Sequence, residues 1–261
     1  MRDKVSLIKH LESYHLQQGS DTPALPELPE SFLMAWIFHD NHLEGRSLNP
    51  QDIRVAVQGR DAERPSYLRP LLEDIRLYQE AIKMVWAWGQ QGPKSLTQHN
   101  IKKLHKHLMT YDPKEGASFR QNSPVHRDYH HKICSHTSAP RLLQELCREL
   151  SSFDSLTQDA LSYAAYLHHK FMYIYPFRRA PGSLARLFTN QFLIAHNYPP
   201  LLILSHERGT YYDALSAPDH QALTQLFQKA AWRFIEVYPT LQVEARQELT
   251  KRVHGQRATT A

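Results

Sequence analysis

The chain has 261 residues, of which 41% are hydrophobic and 22% charged, so it can form a globular core and does not have the composition of a disordered protein. Only 9 Gly stand beside 16 Pro, which excludes the collagen-like and glycine-rich linker classes. The net charge of +5, from 31 Lys and Arg against 26 Asp and Glu, favours phosphate-bearing partners without requiring one.

Three features of the sequence predict a cytoplasmic protein. No apolar run reaches the roughly 18–20 residues that a membrane span needs, so no membrane partner is expected. The N-terminal stretch MRDKVSLIKHLESYH lacks the apolar centre of a signal peptide. Cys134 and Cys147 form neither a disulfide framework nor a CxxC pair. Export without a cleaved signal would leave the same sequence.

Hydrophobic periodicity predicts helices along almost the whole chain. We expect residues 1–29 to form a helix over 3–18 and a Pro-rich connection, 30–240 the main domain, and 241–261 a C-terminal helix with a frayed tail. Within the main domain, a helix is predicted at 30–43, and a short one begins with Asn49 as cap and Pro50 as first residue. A long helix is predicted from Ser66 to near Gly89–Gly92, and the next from a Ser95 cap to about Met109. Further helices are predicted at 140–153, 156–174, 183–196, 207–216 and 219–238.

The stretch 111–138 has a different pattern. Pro113, Gly116 and Pro124 interrupt it, and polar and apolar residues alternate around 129–134. This pattern predicts a long loop with a small hairpin, and long loops in compact domains are often functional. The predicted fold class is therefore all-α with one short β-hairpin.

The loop between the helices at 156–174 and 183–196 is the strongest candidate for a site. A helix N-terminus offers free N–H groups and the positive end of the dipole to an anion. Ser183 is a candidate cap for that helix, and Arg178, Arg179 and Arg186 add guanidinium groups suited to phosphate. The residues alone leave two interpretations open, a phosphate or acidic-peptide site and a solvated basic turn.

The spacing around this loop resembles the signature of the Fic proteins, A-x-x-H-x-x-F-x-x-I-H-P-F-x-D-G-N-G-R-x-x-R. The framework positions that match are Ala165, His168, Phe171, Ile174, Pro176, Phe177 and Arg186. The resemblance covers roughly 30–240, with the signature at 165–186 and a flap within 111–138. It implies a helical bundle with a hairpin flap beside the loop, and a relation to enzymes that move AMP from ATP to protein hydroxyls. Within this framework we expect His168 to be structural.

A second match lies upstream, where many Fic proteins carry an autoinhibitory helix with the pattern S/T-x-x-x-E-G/N. Here the helix at 30–45 ends in Glu44-Gly45, and Asp40 stands where Ser or Thr is usual. The resemblance implies that Glu44 is regulatory and pairs with Arg186. The alternative is an ordinary helix C-terminus stopped by glycine.

The positions that carry the chemistry of the signature are replaced. Tyr175 stands for the catalytic His, and a Tyr with a pKa of about 10 is a poor base near neutral pH. Arg179 stands for the metal-binding Asp, and a cation cannot bind Mg²⁺. Ala180-Pro181-Gly182 replaces Gly-Asn-Gly, and Pro has no N–H to donate. Ser183 replaces the phosphate-binding Arg.

These replacements predict a Fic-fold protein that is inactive in AMP transfer and binds a phosphate-bearing small molecule, a nucleotide or a protein partner through the flap. No cofactor and no metal site are expected, and ATP or another phosphate ligand should bind without Mg²⁺. The predicted ligand-binding residues are Arg178, Arg179, Gly182, Ser183 and Arg186. The alternative is a Fic-type transferase with altered, metal-independent chemistry on a phosphate-containing substrate.

Two further possibilities have weaker support. The flap region contains His126, His130, His131, Cys134 and His136, which could hold zinc. Adjacent His side chains on a strand point to opposite faces, which opposes joint ligation. The basic run over 102–107 suggests nucleic acid, but a solvated helix face explains it and no DNA-binding motif is present.

Overall fold

The computed structural model describes residues 28–124, 131–150, 152–154 and 158–237. These ranges contain helices, turns and irregular segments and no β-strand, so the all-α prediction is confirmed for them. The α-helices are α1 Glu30–Leu43, α2 Pro50–Val57, α3 Arg69–Gln90, α4 Gln98–Leu108, α5 Ala139–Leu150, α6 Ala160–Ile174, α7 Pro181–Ala195, α8 Arg208–Ser216 and α9 Gln221–Val237. No helix within the described ranges is long and apolar enough to span a membrane. The helices predicted over 3–18 and beyond 241 lie outside these ranges.

The start of α2 follows the sequence signals. The side chain of Asn49 accepts a hydrogen bond from the Gln51 N–H at 2.8 Å, and Pro50 occupies the first helical position, where a missing N–H costs nothing. Similarly, Asp159 begins α6 by accepting from the Leu161 N–H at 3.0 Å.

The start of α4 corrects the prediction that Ser95 caps this helix. Pro93–Ser95 forms a 3₁₀ turn, and the Ser95 hydroxyl donates back to the carbonyl of Gly92 at 2.8 Å. The cap is Thr97, whose hydroxyl oxygen accepts from the Asn100 N–H at 3.1 Å. The proline turn delays the helix, because the chain reaches an extended cap conformation only at Thr97.

The centre of the fold is α7, in which every residue is buried. Its buried polar side chains are bonded to other parts of the fold: Asn190 donates to the Leu201 carbonyl at 3.0 Å, and Gln191 donates to the Ser95 carbonyl at 2.9 Å. The helix packs mainly against α3 and α6. The contact with α3 is close at Gly89, where an added Cβ would lie 2.5 Å from Cγ2 of Ile194. The loop before α7 is therefore attached to a fully buried helix.

The predicted hairpin is not present in the described parts of the 111–138 segment, which are irregular and turn-forming, and residues 125–130 lie outside the description. Instead of pairing with each other, the two flanks bond to the end of α6 and the residues after it. The Arg120 N–H donates to the Pro176 carbonyl at 3.0 Å, and the Cys134 N–H donates to the Tyr173 carbonyl at 2.9 Å. Both flanks thus lie beside the loop, as the resemblance implied.

The buried side chain of Arg120 stabilises the position of both flanks. It is only 3% exposed, and its guanidinium donates to the carbonyls of Tyr175 at 2.7 Å and Cys134 at 2.6 Å. A cation at a helix C-terminus is favoured by the dipole and satisfies carbonyls that lack intrahelical partners. Arg120 therefore fixes the position of the loop that follows α6.

Candidate functional site

The loop between α6 and α7 contains two backbone conformations that residues with a Cβ rarely adopt. Tyr175 is the cap residue after α6 and has φ +46°, and Ala180 precedes α7 with φ +52°. Pro181 is the first residue of α7, and Ala180 is its cap residue without a side-chain bond. Ser183 lies inside the first turn, so the prediction that it caps the helix is wrong. Pro181 begins the helix earlier because its fixed φ suits a first helical position.

Replacing Ala180 with glycine is expected to raise the free energy of unfolding by about 0.5–1 kcal/mol. The left-handed region costs an L residue about 1–2 kcal/mol, and part of this gain is offset by the greater freedom of glycine in the unfolded chain. Chemical denaturation of Ala180→Gly measures the change.

The matched control for this prediction is Ala87→Gly, at an exposed position of α3. There glycine should lower stability by about 1 kcal/mol, because Ala is the better helix former. Destabilisation by both substitutions would show that Ala180 is not under backbone strain.

Arg186, in the second turn of α7, is held by two carboxylates of α1. Its Nη2 donates to Glu44 Oε1 at 2.7 Å, so the ion pair predicted from the sequence forms. Its Nε also donates to Asp40 Oδ1, and its Nη2 to Asp40 Oδ2 at 3.0 Å. Burial opposes the charge on Arg186, but Asp40 prevails and raises the pKa of the guanidinium well above its usual value.

Sequence reasoning missed Asp40 as a partner of Arg186. The motif has Ser or Thr at this position, and the acidic side chain of Asp40 was the signal in the sequence that could have revealed this contact. The hydroxyl of Tyr78, on α3, also donates to Asp40 Oδ2. Burial and then the Asp40 charge raise the pKa of Tyr78 well above 10, so the phenol stays protonated and keeps this bond.

Glu44 occupies the place where an anion would meet α7. An added Cβ at Gly182 would overlap Glu44 Oε1, so the carboxylate lies directly against the first turn. The dipole of the helix and Arg186 both favour a negative charge at this point. The side chain of Glu44 is 25% exposed, whereas that of Asp40 is 4% exposed. Of the two carboxylates, Glu44 is therefore the one that a ligand can reach.

The hydrogen bonds around His168 define its proton position. Thr189 donates its hydroxyl proton to the Ala185 carbonyl at 2.7 Å, so it accepts from His168 Nδ1 at 3.0 Å. The Tyr211 hydroxyl accepts from Arg186 Nη1 at 3.2 Å and therefore donates to His168 Nε2 at 2.9 Å. His168 is thus a neutral imidazole with its proton on Nδ1, buried in the framework as predicted.

His168 gives stability a defined pH dependence. Burial, and then the Arg186 charge, lower its pKa from 6.5 to about 3. Folding favours the neutral form, so this contribution is complete above pH 6.5 and is lost as the pH falls from 6.5 towards 3. We expect His168→Gln to reduce the slope of unfolding free energy against pH in this window, by up to about 1.4 kcal/mol per pH unit. Denaturant titrations from pH 7 to pH 4 test this, and parallel curves for the two proteins would contradict it.

The other two predicted arginines face different partners. Arg178 donates to Glu115 Oε1 from Nε at 2.9 Å and from Nη2 at 2.5 Å, on the exposed side of the loop. Arg179 lies 3.8 Å from Asp112 Oδ2, and its side chain is 57% exposed. The structure therefore brings Gly182, Ser183 and Arg186 together around Glu44. Arg178 is paired with Glu115, and Arg179 lies beside Asp112.

Tyr175 and the described flap residues contact one another and the end of α6. Tyr175 is buried, and its ring lies 6.0 Å from that of His131. His131 Nε2 bonds to the Met172 carbonyl at 2.8 Å. Burial raises the pKa of Cys134, which favours the thiol over the metal-binding thiolate. The described residues contain no group of three potential metal ligands, and the zinc candidates His126 and His130 lie outside them.

A cavity of about 400 Å³ opens onto the loop. Arg179, Ala180 and Ser183 line one side, and Glu44 and Arg46 line another. The residues that line it do not include Tyr175. The cavity thus joins the start of α7, the ligand-accessible carboxylate and the arginine that stands at the metal position of the signature.

Comparison with known proteins agrees with this architecture. Residues 95–193 match the model of the Fic/DOC family. The chain is 26% identical over 192 residues to a protein named protein adenylyltransferase Fic from Nematostella vectensis, covering 70% of this chain and 43% of that protein. It is 35% identical over 121 residues to the protein of that name from Drosophila melanogaster, covering 46% of this chain and 24% of that one. The chain thus spans less than half the length of these relatives.

Solved structures show the same fold at lower sequence identity. Fic-1 from C. elegans, residues 134–508, aligns with a TM-score of 0.72 and 19% identity over 91% of this chain and 70% of that chain. A Fic domain containing signaling protein from Bacteroides thetaiotaomicron aligns with a TM-score of 0.65 and 19% identity, covering 95% of this chain and 97% of that one.

Proposed function

We propose that this chain, whose residues 95–193 match the Fic/DOC family model, is a relative of the protein adenylyltransferases that binds a phosphate-bearing ligand beside α7 and does not transfer AMP. The observation that carries the proposal is the cavity of about 400 Å³ bordered by Arg179, Ala180 and Ser183. This volume lies in the range of pockets that hold small molecules. A nucleotide is the ligand class that fits both the family and the position at a helix N-terminus.

The loss of transfer chemistry is supported by where the replaced residues lie. Tyr175 is buried and does not line the cavity, so its phenol is not placed to remove a proton from a target hydroxyl. Arg179 borders the cavity at the metal position of the signature. A guanidinium there can donate hydrogen bonds to phosphate oxygens but cannot hold Mg²⁺. We therefore propose that the ligand binds without a divalent metal.

Binding requires Glu44 to leave its place. Its carboxylate lies against Gly182 and bonds to Arg186, where a phosphate group would be held by the same helix N-terminus. A phosphate that displaces Glu44 replaces one anion with another, so the exchange keeps the charge of the helix start compensated. Pro181 offers no N–H, so we expect modest affinity.

Isothermal titration calorimetry in EDTA tests the proposal, with ATP, AMP and inorganic phosphate as probes. We expect wild-type protein to bind at least one probe, and Arg179→Ala to weaken binding by about tenfold, because a charge-assisted hydrogen bond is lost. Arg178→Ala is the matched control. Its guanidinium donates to Glu115, so the change should be smaller. No binding by wild type, or equal binding by wild type and Arg179→Ala, would contradict the proposal.

A protein partner at the flap belongs to the same proposal, as does a cytoplasmic location. The flanks of the 111–138 segment are fixed beside the loop through the backbone bonds of Arg120 and Cys134. A partner that binds there would therefore lie near the occupied cavity. Intact-mass measurement of candidate partners incubated with nucleotide distinguishes this binding function from the alternative of a metal-independent transferase, which would add mass.

A further inference from the structure

The carboxylate of Asp40 accepts hydrogen bonds from the two N–H donors of Arg186 that could otherwise bind a phosphate. Nε and Nη2 of Arg186 both donate to the Asp40 carboxylate, the latter to Oδ2 at 3.0 Å. This paired donation is the arrangement that arginine otherwise offers to phosphate. Asp40 is 4% exposed and Arg186 is 5% exposed. Tyr78 donates to the same carboxylate from α3 and holds it in place.

Glu44 relates to Arg186 differently. It accepts one N–H from Nη2 at 2.7 Å, and it lines the cavity. A ligand oxygen that displaces Glu44 therefore gains one N–H donor from Nη2 and not the paired donation of Nε and Nη2. The charge of Arg186 remains compensated by Asp40 after Glu44 has moved.

The rest of the cavity wall adds little net positive charge. Arg46 is paired with Asp74 at 2.8 Å, and Arg179 has Asp112 at 3.8 Å. All four of these residues line the cavity. Each cation on this wall thus has an acidic neighbour. A polyanion such as a nucleoside triphosphate would meet those acids without a matching excess of cations.

We infer that Asp40 is a specificity-determining residue, which withholds the paired donors and the charge of Arg186 so that the cavity selects ligands with one phosphate group over triphosphates. The inference rests on the proposed function for its ligand class. It concerns a residue that stands in place of Ser or Thr in the motif, and a neutral side chain at this position would leave Arg186 with its charge available.

The test uses the full chain with Glu44→Ala as the common background, so that the displaceable carboxylate is absent throughout. Asp40→Asn is added to free Arg186. Asp52→Asn is the matched control, because Asp52 is also a buried aspartate, at 6% exposure, and is paired with Arg64 away from the cavity. AMP and ATP are titrated into each variant by calorimetry in EDTA, and circular dichroism establishes that each variant is folded.

We expect the Glu44→Ala protein to bind AMP at least as tightly as ATP. Adding Asp40→Asn should improve ATP affinity about tenfold more than AMP affinity, because the freed charge acts on more phosphate groups. Adding Asp52→Asn should change neither affinity. Equal gains for AMP and ATP, or equal behaviour of the Asp40 and Asp52 variants, would overturn the inference.

Two further outcomes separate the inference from the proposed function. If wild type and Glu44→Ala bind neither nucleotide but the Asp40→Asn variant binds ATP, the proposed function fails, and the result supports only that Asp40 withholds Arg186 from ATP. If none of the proteins binds, both fail. If the Asp40→Asn variant does not fold, the inference is tested on the Glu44→Ala protein alone. ATP binding to that protein more than about tenfold tighter than AMP binding would overturn the inference.

Discussion

Replacing Arg186 with methionine is expected to lower the free energy of unfolding by about 3–5 kcal/mol. The substitution leaves Asp40 at 4% exposure and Glu44 beside it, with no cation between the two carboxylates. Removing one partner of a buried pair is costly because the remaining carboxylate loses the hydrogen bonds and the charge of Arg186 and has little access to water. Urea denaturation of the variant measures the loss.

Two controls identify the buried charge as the cause. Arg76→Met removes an arginine whose pair with Asp61 is about one-third exposed, and it should cost at most about 1 kcal/mol. Adding Asp40→Asn to Arg186→Met should recover part of the lost stability, because one uncompensated charge disappears. Equal losses in Arg186→Met and Arg76→Met would show that the pair is not the buried anchor described above.

Wild-type protein and Glu44→Gly are both expected to show no Mg²⁺-dependent AMP transfer. Removing Glu44 clears the space beside Gly182, but it supplies neither a base nor a metal ligand. A missing general base costs about 10²–10⁴-fold, and loss of the metal adds orders of magnitude to this figure. The measurement is transfer of labelled AMP from ATP to protein, including self-labelling.

The positive control restores the signature in the Glu44→Gly background, with Tyr175→His, Arg179→Asp, Ala180→Gly, Pro181→Asn and Ser183→Arg. Labelling by this protein, at least about 10⁴-fold above the Glu44→Gly variant, would show that the fold still supports the chemistry. His and Gly also tolerate the left-handed backbone at the positions with φ +46° and φ +52° better than Tyr and Ala do. Strong Mg²⁺-dependent labelling by Glu44→Gly alone would refute the prediction.

The positions of the helices could be predicted because their signals are local. Apolar residues at helical spacing determine which segments form helices, and Asn49 followed by Pro50 begins α2 as expected. Errors arose where neighbouring residues compete for the same role. Ser95 and Thr97 are both good caps, and only the 3₁₀ turn over Pro93–Ser95 decides between them. The hairpin was predicted from alternation in a segment whose flanks bond instead to the end of α6 and to Pro176.

At the candidate site, the sequence determined one ion pair, and only the tertiary structure showed the other partners of the charged residues. The motif residues around Glu44 and Arg186 were sufficient to predict their ion pair. The second carboxylate was not predicted, because Asp40 lies 146 positions from Arg186 and contacts it only when α1 packs beside α7. Likewise, Arg178 and Arg179 are adjacent and chemically alike, and the sequence did not show that Arg178 pairs with Glu115 and Arg179 with Asp112. Helix formation depends on neighbours in the chain, whereas the charge balance of a buried site depends on which distant side chains packing brings within hydrogen-bond distance.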